Sequence, residues 1–151
     1  SKYVFFTDGD IVFENPYFII GPYRKMLEND LELYIQDEHP INGICSGFYI
    51  IKSNDNVKNL FSKDSLIKHL GENKNDQDFI NKLIQGNKIK SKRMPKEQYS
   101  NGRYYYDVLS KKNYKDYENY IIHFNWLKGG ESKRNKMVQY KKWYMGDLKH
   151  K

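Results

Sequence analysis

Hydrophobic residues fall in short runs separated by turn signals. Tyr3-Val4-Phe5-Phe6 predicts a short buried strand that runs into Thr7-Asp8-Gly9-Asp10; Ile11-Val12-Phe13 is apolar again, and Glu14-Asn15-Pro16 breaks the pattern. Leu31, Leu33 and Ile35 alternate with Glu32, Tyr34 and Gln36, the mark of a half-buried strand, and Ile44 to Ile51 is a β-rich run interrupted by Gly47. From Asp55 to Leu70, Val57, Leu60, Phe61, Leu66, Ile67 and Leu70 recur at roughly helical spacing, with Asn54 or Asp55 as cap and Gly71 as stop. A second helix is expected from about Asp76 to Gln85, capped by Asn75, with Phe79, Ile80, Leu83 and Ile84 inward and Gly86 ending it. Lys88 to Pro95 reads as a short basic strand, Tyr99 to Tyr106 as an aromatic loop or strand around the Asn101-Gly102 turn signal, and Tyr120 to Phe124 as a last core strand. Strands alternating with helices, without repeat or linker, imply one α/β domain over residues 1–151.

Composition narrows the classes. With 14 Tyr, 8 Phe and 2 Trp the chain is far too aromatic to be disordered. Its one cysteine, Cys45, allows neither an intrachain disulfide nor a thiolate zinc cage. No apolar run approaches the roughly 18–20 residues of a membrane span, so a soluble chain is expected, with the cytoplasm compatible and the compartment otherwise open.

Charge is lopsided. The net charge is +7, yet residues 1–81 hold 8 basic and 13 acidic side chains while 82–151 hold 18 and 6, a balance of −5 against +12. A basic half suggests an anionic partner: nucleic acid, an acidic membrane face or a phosphorylated small molecule. Four arginines among the 26 basic residues weaken the nucleic-acid reading, since arginine forks are the usual base readers.

Two constellations carry chemistry. Asp8 and Asp10 flank a glycine directly after an apolar strand, where two carboxylates can converge on one hard cation; the alternative is an acidic surface turn. His123 ends another apolar strand and precedes Asn125, Trp126, Lys128-Gly129-Gly130 and Lys133; imidazole suits Mn²⁺ as a further ligand, and lysines with glycines suit a diphosphate. Alone, His123 would read as a satisfied core residue, and Asp76-Gln77 as first-turn polar residues beside the Asn75 cap. Ser46-Gly47-Phe48 reads as a bulge or a place where a ligand nears the backbone.

In order, these elements resemble the nucleotide-diphospho-sugar transferase family of GT-A-type glycosyltransferases. Thr7-Asp8-Gly9-Asp10-Ile11-Val12 with Asn15-Pro16 is similar to its DxD strand, and Ser46-Gly47-Phe48-Tyr49 to its NTGF strand, with Cys45 in place of the asparagine. Asp76-Gln77 with Asn81 resembles DQxxxN; Met94-Pro95, Tyr99 and Asn101-Gly102 resemble LPxxxFxNG. His123-Phe124-Asn125-Trp126, Gly129 and Lys133 resemble HxNWxxGxxxK, with Trp143 where the family often has tryptophan.

The resemblance implies a GT-A-like mixed sheet flanked by helices and transfer of a sugar from a nucleotide-diphospho-sugar, a UDP-sugar first, to an acceptor hydroxyl. It implies Mn²⁺ (or Mg²⁺) held by Asp8, Asp10 and His123, with Asp8 alternatively on the ribose, and Lys133 on phosphate with Lys128 nearby. Ser46, Gly47, Asn101, Gly102, Asn125, Trp126 and Gly129 would line the substrate site, and Asp76 and Gln77 would face the donor sugar or reacting carbon.

Such enzymes place a nucleotide-binding βαβ half ahead of the DxD strand, which here starts at residue 3. The expectation is therefore a fragment of a longer enzyme, or a shortened relative that borrows strands or has lost donor binding, with an unpaired edge favouring a homo-oligomer. Two other readings compete. The Asp8-Gly9-Asp10 turn also fits haloacid-dehalogenase-type phosphatases, whose second acidic pair could only be Gly146-Asp147. The basic, aromatic-rich half could bind single-stranded nucleic acid, or belong to a non-catalytic remnant, although core packing of the aromatics is favoured over nucleic acid.

Overall fold

The computed structural model describes residues 2–71, 75–111 and 118–144. In chain order it holds β1 (Tyr3–Thr7), β2 (Ile11–Phe13), α1 (Tyr17–Glu28), β3 (Leu33–Asp37), β4 (Ile44–Lys52), α2 (Asp55–Leu60), α3 (Lys63–Leu70) and α4 (Asp76–Gln85). Then follow β5 (Ser91–Arg93), β6 (Tyr99–Asn101), α5 (Gly102–Asp107), a 3-10 turn at Leu109–Lys111, β7 (Ile121–His123) and α6 (Gly130–Gln139). A four-stranded sheet runs β1-β4-β3-β5 and a three-stranded sheet β2-β7-β6. In each, one pair is parallel, β3 with β5 and β6 with β7, and the rest antiparallel. This is the mixed α/β architecture expected, divided between two sheets. No described helix is long and apolar enough to cross a membrane.

The alternation expected of a half-buried β3 does not hold, because both faces of its sheet are covered. Tyr34 packs with Met26, Phe48, Ile50, Tyr99 and Ile121, while Leu33 and Ile35 pack with Ile44, Ile51, Val57, Phe79, Ile80 and Ile89. Burial on both faces removes the polar stripe that marks a solvated face. The second sheet is shared likewise: Ile121 belongs to the first cluster, Ile122 to a third with Val12, Tyr105, Leu109, Phe124 and Met137. Strand residues two apart share a face, so His123 emerges on the side of Ile121, toward the large sheet. That alternation sets the site.

Other expectations need correction. The single helix over 55–70 is two, because Ser62 turns extended and its hydroxyl accepts from Ser65 N, capping α3 afresh. Ile67, expected inward, is exposed. The basic strand shrinks to three residues, and Asn101-Gly102 is no hairpin turn but a strand-to-helix junction, with Asn101 Oδ1 accepting from Tyr104 N at 3.0 Å. The segment read as an aromatic loop or strand is thus mostly α5. Two helices, α1 and α6, carry no expectation at all. Gly21 and Pro22 inside α1 hide it, and α6 reads Gly-Glu-Ser-Lys-Arg-Asn-Lys with only Met137 buried.

Burial also sets a pH limit. It pushes the Tyr34 phenol up to about 12 and raises Tyr99 and Tyr106 further, Tyr106 keeping a buried hydroxyl without a hydrogen-bond partner among the described residues. A phenol whose folded pKa exceeds the unfolded value of about 10 stabilises the fold in full below pH 10 and loses that contribution as pH rises through the folded value. The urea midpoint should therefore hold between pH 8 and 10, fall above it, and fall less in Tyr34→Phe; a midpoint unchanged to pH 11.5 would contradict this.

Candidate metal and diphosphate site

The turn between β1 and β2 carries the chain from one sheet to the other and is fixed to both. Asp8 N donates to Gly47 O on β4 at 2.8 Å, and Asp10 O accepts from Phe124 N, just past β7, at 2.9 Å. The two carboxylates therefore open into the seam between the sheets, where His123 arrives from β7. His123 Nε2 lies 3.2 Å from Asp10 Oδ1 and 3.5 Å from Asp8 Oδ2. Ligand atoms of all three residues lie within 4.8 Å of one another; Asp8 is exposed, Asp10 half-buried and His123 buried.

The tautomer of His123 follows from its neighbours. Gln36 Nε2 donates to the Tyr99 carbonyl at 3.1 Å, so its Oε1 faces His123 Nδ1 at 3.0 Å and must accept. Nδ1 is then the protonated nitrogen, and Nε2 is left facing two carboxylates. Two states satisfy that geometry: an imidazolium donating to Asp8 and Asp10, or a cation in place of the second proton. An orienting acceptor on the far nitrogen is also what metal-bound histidines carry.

Burial raises the Asp10 carboxyl, but hydrogen bonds and charge from His123 and Lys133 outweigh it and hold Asp10 well below the usual carboxylate range. Lys133 Nζ lies 2.7 Å from Asp10 Oδ2. The lysine expected on phosphate is thus seated on an aspartate, and Lys142 likewise pairs with Glu14. Part of the −5/+12 asymmetry is spent inside the fold. Lys128 is exposed, and Gly129, at φ 79°, is the N-cap residue just before α6, with open space around it.

Cys45 stands behind His123, its Sγ 3.4 Å from Nδ1 and from Asn125 Nδ2. Burial and then the charge of Glu38 push its thiol up to about 12, so it is a neutral packing group at ordinary pH. Ser46 N donates to Gln77 Oε1 at 3.3 Å, which ties α4 to β4; Asn81 donates to Gln77 O. Asp76, in the first turn of α4, is exposed, and its charge reaches Tyr49 together with that of Asp8. The register of β3 against β4 shifts at Ile35/Gln36, so Ser46-Gly47-Phe48 form the irregularity anticipated there. Asn101 and Gly102 are buried: Asn101 Nδ2 donates to Glu38 and to His39 O, and Gly102 N donates to Asn125 Oδ1 at 2.7 Å. Gly102 is required there, since a Cβ would lie 2.6 Å from Asn125 O.

Sequence reasoning passed over Gln36 and Glu38, both almost wholly buried. The alternation puts both on the polar set of the strand, so the sequence pattern carries no signal for their burial. The acidic partner needed by the phosphatase reading, Gly146-Asp147, lies outside the described residues.

The family model described as nucleotide-diphospho-sugar transferase matches residues 2–137. Among curated proteins, the chain is 27% identical over 170 aligned residues to a UDP-galactose:fucoside alpha-3-galactosyltransferase of Dictyostelium discoideum. That alignment covers 95% of this chain but 26% of the relative, so the chain spans about a quarter of the relative's length. No solved structure gives a significant match.

Proposed function

This chain belongs to the nucleotide-diphospho-sugar transferase family, and we propose that the seam between its sheets transfers a glycosyl group from a UDP-sugar, UDP-galactose first, to an acceptor hydroxyl. The observation that carries this reading is the convergence of Asp8, Asp10 and the Nε2 face of His123.

Two carboxylate oxygens and one imidazole nitrogen form a donor set suited to Mn²⁺, or to Mg²⁺ with more water retained. The residues therefore fit the cation that the family implies. Bound there, it would act as a Lewis acid on the diphosphate and stabilise the charge of the leaving nucleotide. Gln36 keeps Nδ1 protonated and Nε2 turned toward the carboxylates. Lys133 holds Asp10 ionised and in place, and it can exchange that contact for a phosphate oxygen when a diphosphate arrives. Gln77, seated against the Ser46 backbone, and Asp76 lie at the α4 edge of the same β4 segment and are the groups proposed to meet the donor sugar.

The test is release of UDP from UDP-galactose with and without an acceptor glycoside, in Mn²⁺ and in EDTA. Turnover that needs the cation and is increased by acceptor supports the proposal; turnover equal in EDTA contradicts it.

A further inference from the structure

Glu38 is a buried carboxylate, 2% exposed, that no motif singles out. Its hydrogen bonds all fall on one oxygen. Oε1 accepts from the Trp126 indole N–H at 3.0 Å, from His39 N at 3.1 Å and from Asn101 Nδ2. Among the described residues Oε2 accepts none. Oε2 is not among the fully enclosed unpartnered atoms, so this edge of the carboxylate opens to solvent, where a hydroxyl donor can reach it while Oε1 stays committed to three donors.

The side chain Glu38 holds is itself unusual. Trp126 has φ 63°, a left-handed backbone that bulky residues rarely adopt, and the residue is 51% exposed. Backbone strain of about 1–3 kcal/mol persists only where surrounding contacts enforce it. Here the enforcing contacts are Glu38 on the indole N–H and the Arg103 guanidinium 6.0 Å from the ring centroid, itself paired with Asp107. Rigid burial of the indole edge with exposure of its surface is a poor arrangement for a core residue. It suits a platform.

The position is next to the cation cluster. Asn125, one residue earlier, donates to Cys45, whose sulfur touches His123. A pyranose ring matches the surface on offer: its C–H-bearing face stacks on an indole while hydroxyls at its rim donate to a carboxylate. We infer that Trp126 and Glu38 form a carbohydrate subsite, with a pyranose stacked on the indole and one hydroxyl donating to Glu38 Oε2. Resting on the transferase reading, this subsite takes the acceptor, so the acceptor is a glycoside and Glu38 is both its contact and the positioning residue for Trp126.

The test needs no nucleotide and no turnover, so its failure is separate from failure of the transferase reading. Methyl glycosides of galactose, glucose and fucose are titrated into the chain while tryptophan emission is followed, and saturation transfer to the sugar protons is read by NMR. Saturable millimolar binding to at least one glycoside is expected, with transfer strongest to protons on one face of its ring. Trp126→Ala should weaken binding on the order of tenfold and Trp126→Phe less; Glu38→Gln should weaken it while shifting the emission maximum, as its indole contact changes. Circular dichroism confirms that each variant is folded, and Trp126→Phe serves if the alanine variant is not. Binding unchanged in Trp126→Phe and Glu38→Gln, or no glycoside binding by the unsubstituted chain at high millimolar concentration, would overturn the inference.

Discussion

Asp10→Asn should lower cation-dependent UDP release on the order of 10²–10³-fold and abolish Mn²⁺-dependent binding of UDP. The substitution is isosteric and leaves the Asp10 backbone in place, so the bond from Phe124 N to the residue 10 carbonyl persists and β2 stays anchored. What disappears is charge. Asp10 is the carboxylate that both His123 Nε2 and Lys133 Nζ address, and an amide at that position offers a neutral oxygen to the cation and leaves Lys133 unneutralised. The exposed Asp8 cannot replace it, because its backbone is tied to Gly47 on the opposite sheet. Initial rates at saturating Mn²⁺ measure the effect. A variant within fivefold of the unsubstituted chain would remove Asp10 from the cation site.

Gly47→Ala is the second large effect, and it acts through geometry alone. A Cβ at residue 47 would lie 2.1 Å from His123 Cε1, 2.9 Å from His123 Nδ1 and 2.8 Å from Asp8 Oδ2. The ring cannot retreat, since Gln36 and Cys45 back its Nδ1 edge. Either the imidazole is driven toward the carboxylates or β4 moves away from β1 and β3. Overpacking of this kind costs about 1–3 kcal/mol, and here it falls on the residues that would hold the cation. Thermal unfolding should shift downward and Mn²⁺-dependent UDP binding should be lost together. A stable Gly47→Ala protein that still binds UDP in Mn²⁺ would show that the packing around His123 is looser than described.

Much of the fold is legible in the sequence itself. The strands at 3–6, 11–13, 44–51 and 120–124 betray themselves by apolar runs bounded by Asp, Gly and Pro, and the α4 segment by its Asn75 cap and Gly86 stop. Asp8, Asp10 and His123 stand out through the resemblance of their motifs, in order, to those of the family; by residue type alone a surface turn and a core histidine read as well. What stayed hidden has physical causes. A helix such as α1 that contains both Gly21 and Pro22 contradicts local propensity, and tertiary packing of Met26 overrides it. The polar α6 is held by Met137, so periodicity had little to register. The break at Ser62 requires knowing that a serine can cap as well as continue a helix.

The site's supporting residues were hidden for a different reason. Gln36 and Glu38 look like solvent positions at a strand end, and only the packing of the second sheet over β3 buries them. Gly47 was suspected of admitting a ligand; the atoms its missing side chain admits are those of His123. Lys133 was expected on phosphate, and its partner in the fold is Asp10. Both contacts belong to the same constellation. The carboxylates, the imidazole and the lysine are pre-arranged by contacts spanning the two sheets.

The most direct test of the cation-held diphosphate is calorimetric titration of UDP into this chain, once with Mn²⁺ and once with EDTA. The account predicts saturable binding in Mn²⁺, none in EDTA, and none in Mn²⁺ after Asp10→Asn. UDP bound equally well in EDTA, or a full Mn²⁺ response from Asp10→Asn, would contradict it.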